Sequence, residues 1–309
     1  MNYYTSEKNV QMLIYLMKKH GIKKVIASPG TTNITFVASI QHDDFFDIIS
    51  CADERSAAYM ACGIAEETGE PVALSCTGAT ASRNYIPGLT EAFYRKLPIL
   101  AITSTQHEGR IGQLEAQVID RSNKQNDIAV DSENISMIHN KEDEWDCNIR
   151  INRALLSLKH NGGGPVHINL WTNYSREFNV QELPEFRVIY EIDRLDAIPP
   201  ISHKKVAIFV GAHAKWNEKL TNLVDDFCEL YNAVVSCDHS SNYNGKYGIN
   251  YNLISSQKNH SFDTTKMDIL IDIGEMSGAY MELQPNEVWR VSVDGEIKDR
   301  FKKIKIGRA

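Results

Sequence analysis

The sequence lacks long apolar runs and an excess of positive charge. No stretch approaches the roughly 20 consecutive apolar residues that a membrane-spanning helix needs. The formal net charge of −7 over 309 residues argues against nucleic-acid or acidic-membrane partners, because both favour basic surfaces. The first residues also lack a basic segment followed by an apolar one. We therefore expect a cytoplasmic protein.

Several familiar site motifs are missing as well. The six cysteines include no Cys-x-x-Cys pair, so we expect reduced core residues rather than a zinc or redox site. Neither the G-x-G-x-x-G fingerprint of dinucleotide sites nor the G-x-x-x-x-G-K-[ST] loop of nucleotide sites occurs. His107, His167 and His213 have no second ligand at a suitable spacing. We interpret them as surface or core histidines and predict no metal site.

What the sequence does contain is a regular alternation of strand and helix patterns. Short apolar runs at 25–27, 46–49, 72–76 and 99–103 predict parallel strands that are buried on both faces. Helical patterns separate these runs, and a further run at 166–170 closes the series. This order predicts βαβ units, and hence an α/β fold with a parallel sheet.

The alternation occurs in two blocks. Residues 1–175 form the first predicted α/β domain, and residues 201–309 form a second, smaller one. Between them, residues 176–200 carry prolines and many charges without a sustained period, which predicts a linker. The expected architecture is therefore two successive parallel-sheet α/β domains.

The most informative residue is Glu54, which opens a helix rich in small residues directly after a predicted strand. This position lies at the carboxyl end of a parallel strand, where α/β sheets place their ligands. A carboxyl group there can reach a flat heterocycle. An acid in the first turn of a helix is also favoured by the helix dipole in any protein, so a purely structural role stays open from this pattern alone.

Two further signals follow neighbouring strands in the same order. Pro29-Gly30-Thr31 comes after the first strand, and Thr77-Gly78 begins a turn that leads to Asn84 and a helix. Each has a simpler interpretation. Pro29-Gly30 could be a plain turn, Thr31 or Thr32 could cap the next helix, and Thr77-Gly78 could be an ordinary strand-to-helix connection.

As an ordered set, these motifs resemble the pyrimidine-binding domain of the thiamine diphosphate-dependent enzyme superfamily, which includes acetohydroxyacid synthases and benzoylformate decarboxylases. The segments 87–93, 97–103 and 164–168 match it too. Ala79-Thr80-Ala81 stands where many members have Gly-Pro-Gly, which is closer to the menaquinone-pathway branch. Residues 201–293 resemble the superfamily's central domain.

The resemblance implies a cofactor, a reaction class and a set of site residues. The cofactor would be thiamine diphosphate, the reaction decarboxylation or carboligation of a 2-oxo acid, and Glu54 the catalytic residue that activates the aminopyrimidine ring. Substrate contacts would come from Thr31, Thr77 and Gln117, with Gln113 as the competing alignment for Gln117. The implied cofactor-binding residues are Pro29, Gly30, Glu54, Thr77, Gly78 and Asn84.

One part of the superfamily's pattern is missing. Its members bind the diphosphate through Mg²⁺ with a Gly-Asp-Gly motif and a later Asn, and Val293-Asp294-Gly295 is the nearest approach here. We expect the diphosphate-binding domain to be absent, so that the chain is a fragment or a split subunit that is inactive alone. The expected assembly is a homo-oligomer, a dimer or tetramer, and a separate diphosphate-binding subunit is a further option. The alternatives are a non-catalytic assembly or regulatory subunit, or a nicotinamide-dependent oxidoreductase, which rests on the α/β pattern alone.

Overall fold

The computed structural model describes residues 3–121, 125–192, 197–251, 253, 265–278 and 282–308. The chain divides into two compact units, unit 1 at residues 1–188 and unit 2 at residues 189–309. The division falls inside the segment 176–200 that the sequence predicts as a linker. Part of this segment is ordered structure, because Val180 bridges to Tyr4 within unit 1 and residues 190–192 form a strand of unit 2.

The described part of unit 1 contains six strands in one parallel sheet. They are β1 (Lys24–Ala27), β2 (Asp47–Ser50), β3 (Val72–Thr77), β4 (Ile99–Thr105), β5 (Asp131–Ile135) and β6 (Val166–Trp171). Their order is β2-β1-β3-β4-β6-β5, and every neighbouring pair is parallel. The sequence predicted five of these strands. It missed β5 because an edge strand can be largely polar, as Asp131-Ser132-Glu133-Asn134 is.

Helices cover both faces of this sheet. They are α1 (Lys8–Lys19), α2 (Ile34–Ile40), α3 (Glu54–Thr68), α4 (Thr80–Asn84), α5 (Ile86–Arg95) and α6 (Lys141–Ser157), with 3₁₀ turns at Glu108–Arg110 and His160–Gly162. One core joins α1 and α6 to the sheet and includes Leu13, Ile102 and Ile151. The other joins α3 and α5 to the opposite face through residues such as Ala61 and Leu89. Coverage on both faces explains the nearly continuous apolar runs.

The close packing of α3 depends on small side chains. Ala57, Ala58 and Ala61 are fully buried on its inner face. A Cβ atom on Gly88 of α5 would lie only 2.5 Å from the Cβ of Ala58, so the two helices approach more closely than larger side chains would permit. The small-residue pattern of the sequence thus sets the distance between α3 and α5.

Unit 2 is a second parallel α/β unit, as the sequence predicts. Its described strands are β7 (Tyr190–Ile192), β8 (Val206–Val210), β9 (Val235–Cys237), β10 (Gly248–Asn250), β11 (Lys266–Ile273), β12 (Gln284–Val291) and β13 (Ile304–Arg308), and its described helix is α7 (Glu218–Tyr231). The strand order is β10-β9-β8-β11-β12-β13-β7, with all neighbours parallel.

The cysteines also behave as the sequence predicts. All six are free thiols, five of them buried and Cys51 partly exposed. Burial raises the pKa of Cys62 and of Cys147 to about 11, so both thiols stay protonated at neutral pH.

None of the helices that the structure describes combines the length and apolar character needed to cross a membrane.

Two glycine substitutions test the packing of α3 against α5. We expect Gly88→Ala to lower the free energy of unfolding by about 1–3 kcal/mol, because the new methyl group would overlap Ala58. Gly63→Ala on α3 is the matched control. It has nothing within 4 Å of the new methyl group and should raise stability by about 0.5–1 kcal/mol through helix propensity. Urea denaturation followed by circular dichroism measures both, and equal effects would contradict the close approach.

Candidate functional site

The first three strands of unit 1 create a ligand-binding geometry at their carboxyl ends. From β1 the chain moves outward to β2 and then returns to β3 on the other side of β1. The strand order therefore reverses next to β1, and open α/β sheets bind ligands in the crevice at such a switch point. The loops after β1, β2 and β3 carry the predicted site residues Pro29-Gly30, Glu54 and Thr77-Gly78.

Asn33 fixes the loop after β1. Its side chain is fully buried, and its Nδ2 donates to the backbone oxygen of Ser28 at 3.2 Å and to Ser75 Oγ at 3.1 Å. Its Oδ1 accepts from the backbone N–H of Gly30 at 2.9 Å. A Cβ atom on Gly30 would collide with Thr77 Cγ2. The loop thus lies against the end of β3, where a side chain at position 30 would displace the Thr77 methyl group.

The two threonines of this loop take different positions. Thr32 is buried, and its hydroxyl donates to the backbone oxygen of Ser104 at 2.7 Å. Thr31 is exposed at the carboxyl edge of the sheet, as a ligand contact requires. The N-cap position of α2 belongs to Asn33, so the alternative interpretation of either threonine as the cap is wrong.

The turn after β3 lies against β4. The Gly78 N–H donates to the backbone oxygen of Ser104 at 2.5 Å. A Cβ atom on Gly78 would lie 2.6 Å from that oxygen and 2.7 Å from Thr105 Cβ, so a larger residue would displace the turn. Thr77, the last residue of β3, is half-buried beside Gly30. Gly30 and Thr77 therefore lie against each other, and Gly78 lies against β4.

Glu54 and Asn84 meet although 30 residues separate them. Asp53 caps α3 by accepting from the Ser56 N–H at 2.8 Å, which places Glu54 at the first helical residue after β2. Asn84 ends α4, and its Nδ2 donates to Glu54 Oε2 at 3.3 Å. The Glu54 side chain is half-buried, so its carboxyl group is held in place and remains accessible.

Two neutral groups lie next to this carboxyl group. Burial raises the pKa of Cys76 to about 12 and the pKa of Tyr85 well above its usual range, and the Glu54 charge adds to both shifts. Neither side chain ionises at neutral pH. At neutral pH, neither Cys76 nor Tyr85 therefore competes with Glu54 for a proton.

Among the described residues, no hydrogen bond links Gln117 to Glu54. Gln117 lies on the exposed loop after β4 with a positive φ of 64°, and Gln113 is exposed on the same loop. Its role as a substrate contact stays a prediction.

Asn33 is the residue that the sequence reasoning missed. Its only local signal is its place two residues after the predicted Thr31, and its partners Ser28 and Ser75 become visible only in the fold.

The predicted structural role of the histidines agrees with their contacts. His167 Nε2 lies 2.7 Å from Thr103 Oγ1, and its Nδ1 lies 2.9 Å from Ser132 Oγ. His107 Nδ1 accepts from the Gly109 N–H at 2.9 Å. Within the described ranges, no group of three or more His, Cys, Asp and Glu side chains is placed to hold a metal ion.

Comparison with known proteins supports one family. Residues 8–126 match the model of the thiamine pyrophosphate enzyme N-terminal TPP binding domain. The 2-succinyl-5-enolpyruvyl-6-hydroxy-3-cyclohexene-1-carboxylate synthase of Bacteroides thetaiotaomicron is 36% identical over 218 residues, which are 67% of this chain and 39% of that protein. The protein of the same name from Flavobacterium johnsoniae is 29% identical over 279 residues, 86% of this chain and 50% of that protein.

A solved structure shows the same fold. The Rhodococcus jostii thiamine diphosphate-dependent 4-hydroxybenzoylformate decarboxylase superposes with a TM-score of 0.50 at 16% sequence identity, over 97% of this chain and 59% of that one. The chain thus spans only part of the length of each of these proteins. The domain match and the similar synthases show that the chain belongs to the thiamine diphosphate-dependent enzyme superfamily, and residues 8–126 are the part that matches its N-terminal domain.

Proposed function

We propose that this chain is the pyrimidine-binding and central part of a thiamine diphosphate-dependent 2-oxo acid decarboxylase or carboligase, and that Glu54 activates the cofactor. One observation carries the proposal. The Glu54 carboxyl group follows β2, accepts a hydrogen bond from Asn84 at the end of α4, and belongs to a side chain that is only half-buried. A fixed, accessible carboxyl group is what hydrogen bonding to a heterocyclic nitrogen requires.

The residues present suit the pyrimidine half of the cofactor. Asn84 occupies Glu54 Oε2, which leaves Oε1 to share a proton with a pyrimidine ring nitrogen. Gly30 and Gly78 let the loops after β1 and β3 pack closely against Thr77 and β4 beside the proposed site. Bound thiamine diphosphate would supply the electron sink for decarboxylation. The exposed Thr31 and half-buried Thr77 hydroxyls are the proposed contacts to the 2-oxo acid.

The diphosphate and Mg²⁺ are assigned to a different domain. Gly-Asp-Gly is missing from the sequence, and the described residues contain no cluster of metal-ligating side chains. The proposed enzyme is therefore an assembly in which this chain meets a diphosphate-binding domain, either as an extension of the same chain in a homo-oligomer or as a separate partner subunit. The names of the similar proteins support a synthase or decarboxylase reaction for that assembly.

Substituting Glu54 tests the catalytic assignment. In an active assembly with a diphosphate-binding domain, we expect Glu54→Gln to lower kcat by about 100-fold or more, because the amide cannot exchange a proton with the ring nitrogen. Carbon dioxide release from 2-oxo acids provides the measurement. Glu67→Gln is the matched control, since Glu67 is an exposed residue of the same helix and the charge change is identical.

Two outcomes would contradict the assignment. Unchanged turnover in Glu54→Gln would show that another group activates the cofactor. The unsubstituted assembly, with Glu54 and Glu67 both present, could also bind thiamine diphosphate and turn over no 2-oxo acid. That result would favour the non-catalytic assembly or regulatory role.

Cofactor binding by residues 1–309 tests the division between the two halves. Because the chain offers contacts to the pyrimidine ring and no proposed diphosphate site, we expect it to bind thiamine and thiamine diphosphate weakly and with similar affinity, whether or not Mg²⁺ is added. Calorimetric titration with both compounds measures this. A Mg²⁺-dependent preference for thiamine diphosphate of about tenfold, worth about 1.4 kcal/mol, would place a diphosphate site within this chain and overturn the division.

A further inference from the structure

A cavity of unit 1 lies beside α4 and α5, which follow β3. It has a volume of about 300 Å³ and reaches from the beginning of α5 to the face of β4 and β6. One wall is apolar, with Ile86, Leu89 and Ile128. The other presents Arg121 and Thr103. The cavity thus combines an apolar wall with a cation, and the proposed function uses neither.

Arg121 is a partly buried cation with neutral partners. Its Nη1 donates to Thr103 Oγ1 and its Nη2 donates to Asn169 Oδ1. The ion pairs of the described residues do not include Arg121, although they include other arginines of unit 1 such as Arg150 and Arg153. The nearby Cys76 supplies no counter-charge, because its thiol is protonated at neutral pH.

This arrangement has an energetic cost that an anion would reduce. Burial, with a smaller contribution from the neighbouring Arg83, lowers the pKa of Arg121 to about 10, yet the guanidinium remains charged at neutral pH. A charge removed from water without an opposite charge destabilises the fold. The cavity lining also includes Arg83 at its rim and no Asp or Glu among the described residues. A bound anion would offset this cost through charge-assisted hydrogen bonds.

We propose that this cavity binds a small carboxylate with an apolar body. The carboxylate would lie against Arg121, whose planar guanidinium matches a carboxylate in shape. The apolar body would pack on Ile86, Leu89 and Ile128. An inorganic phosphate would leave that wall uncovered, so the lining favours an organic acid.

The cavity is separate from Glu54 but adjoins the same turn. The Arg121 guanidinium lies 2.9 Å from the position that a Cβ atom on Gly78 would occupy. A ligand that draws the guanidinium toward itself would therefore act on the backbone of the proposed cofactor-binding turn. The binding site itself does not depend on the proposed function, because a ligand can be titrated without cofactor or turnover.

Titration of the chain of residues 1–309 with benzoate and benzamide tests the proposal. The two probes share shape and ring, and only benzoate is charged at neutral pH. We expect benzoate to bind about tenfold more tightly than benzamide, and Arg121→Gln to weaken benzoate binding about tenfold or more. Arg95→Gln should leave it unchanged, because Arg95 lies on α5 outside the cavity and pairs with Glu66.

A second variant keeps the test independent of folding effects at Arg121. Ile128→Trp fills the apolar wall, retains the guanidinium and should abolish benzoate binding. Amide chemical shifts should locate benzoate at Gly78 and Leu89 in the unsubstituted chain. Benzoate binding that equals benzamide binding, or that survives both Arg121→Gln and Ile128→Trp, would overturn the proposal, as would a failure of benzoate to bind at all.

Discussion

The arrangement of the candidate site depends on the contact between the loop after β1 and the end of β3. A side chain at Gly30 would displace Thr77, and the buried Asn33 amide is bound to Gly30, Ser28 and Ser75 through three hydrogen bonds. Buried amides with satisfied partners hold one conformation, since any shift would leave polar groups unpaired. At the switch point next to β1, Asn33 therefore holds the loop after β1 against β3.

The position of Glu54 follows from packing elsewhere in unit 1. The small inner face of α3 lets α5 approach until Gly88 lies against Ala58, and α4 leads directly into α5. This packing brings Asn84 at the end of α4 to the first turn of α3, where it reaches Glu54 Oε2. The alanines that the sequence places after Glu54 thus contribute to the site indirectly, because they determine how far Asn84 lies from the carboxyl group.

The sequence predicted what local patterns encode, and it missed what distant residues create together. Parallel strands and their loops were predictable, since apolar runs and turn residues are properties of short segments. The polar strand β5 and the three-residue strand β7 carry no such period, so neither was expected. The cavity at Arg121 was also invisible, because Asn169 is 48 residues away in the chain and reaches the guanidinium only in the folded sheet.

The exposure of Glu54 relates the geometry to the proposed need for a second domain. A hydrogen bond to a half-exposed carboxyl group competes with water and gains little net free energy. When a partner surface covers such a group, the local dielectric falls and the same hydrogen bond becomes stronger. For the proposed role, the diphosphate-binding domain would do more than hold the diphosphate. By covering Glu54, which Asn84 already orients, it would also strengthen the contact on which activation of the pyrimidine ring depends.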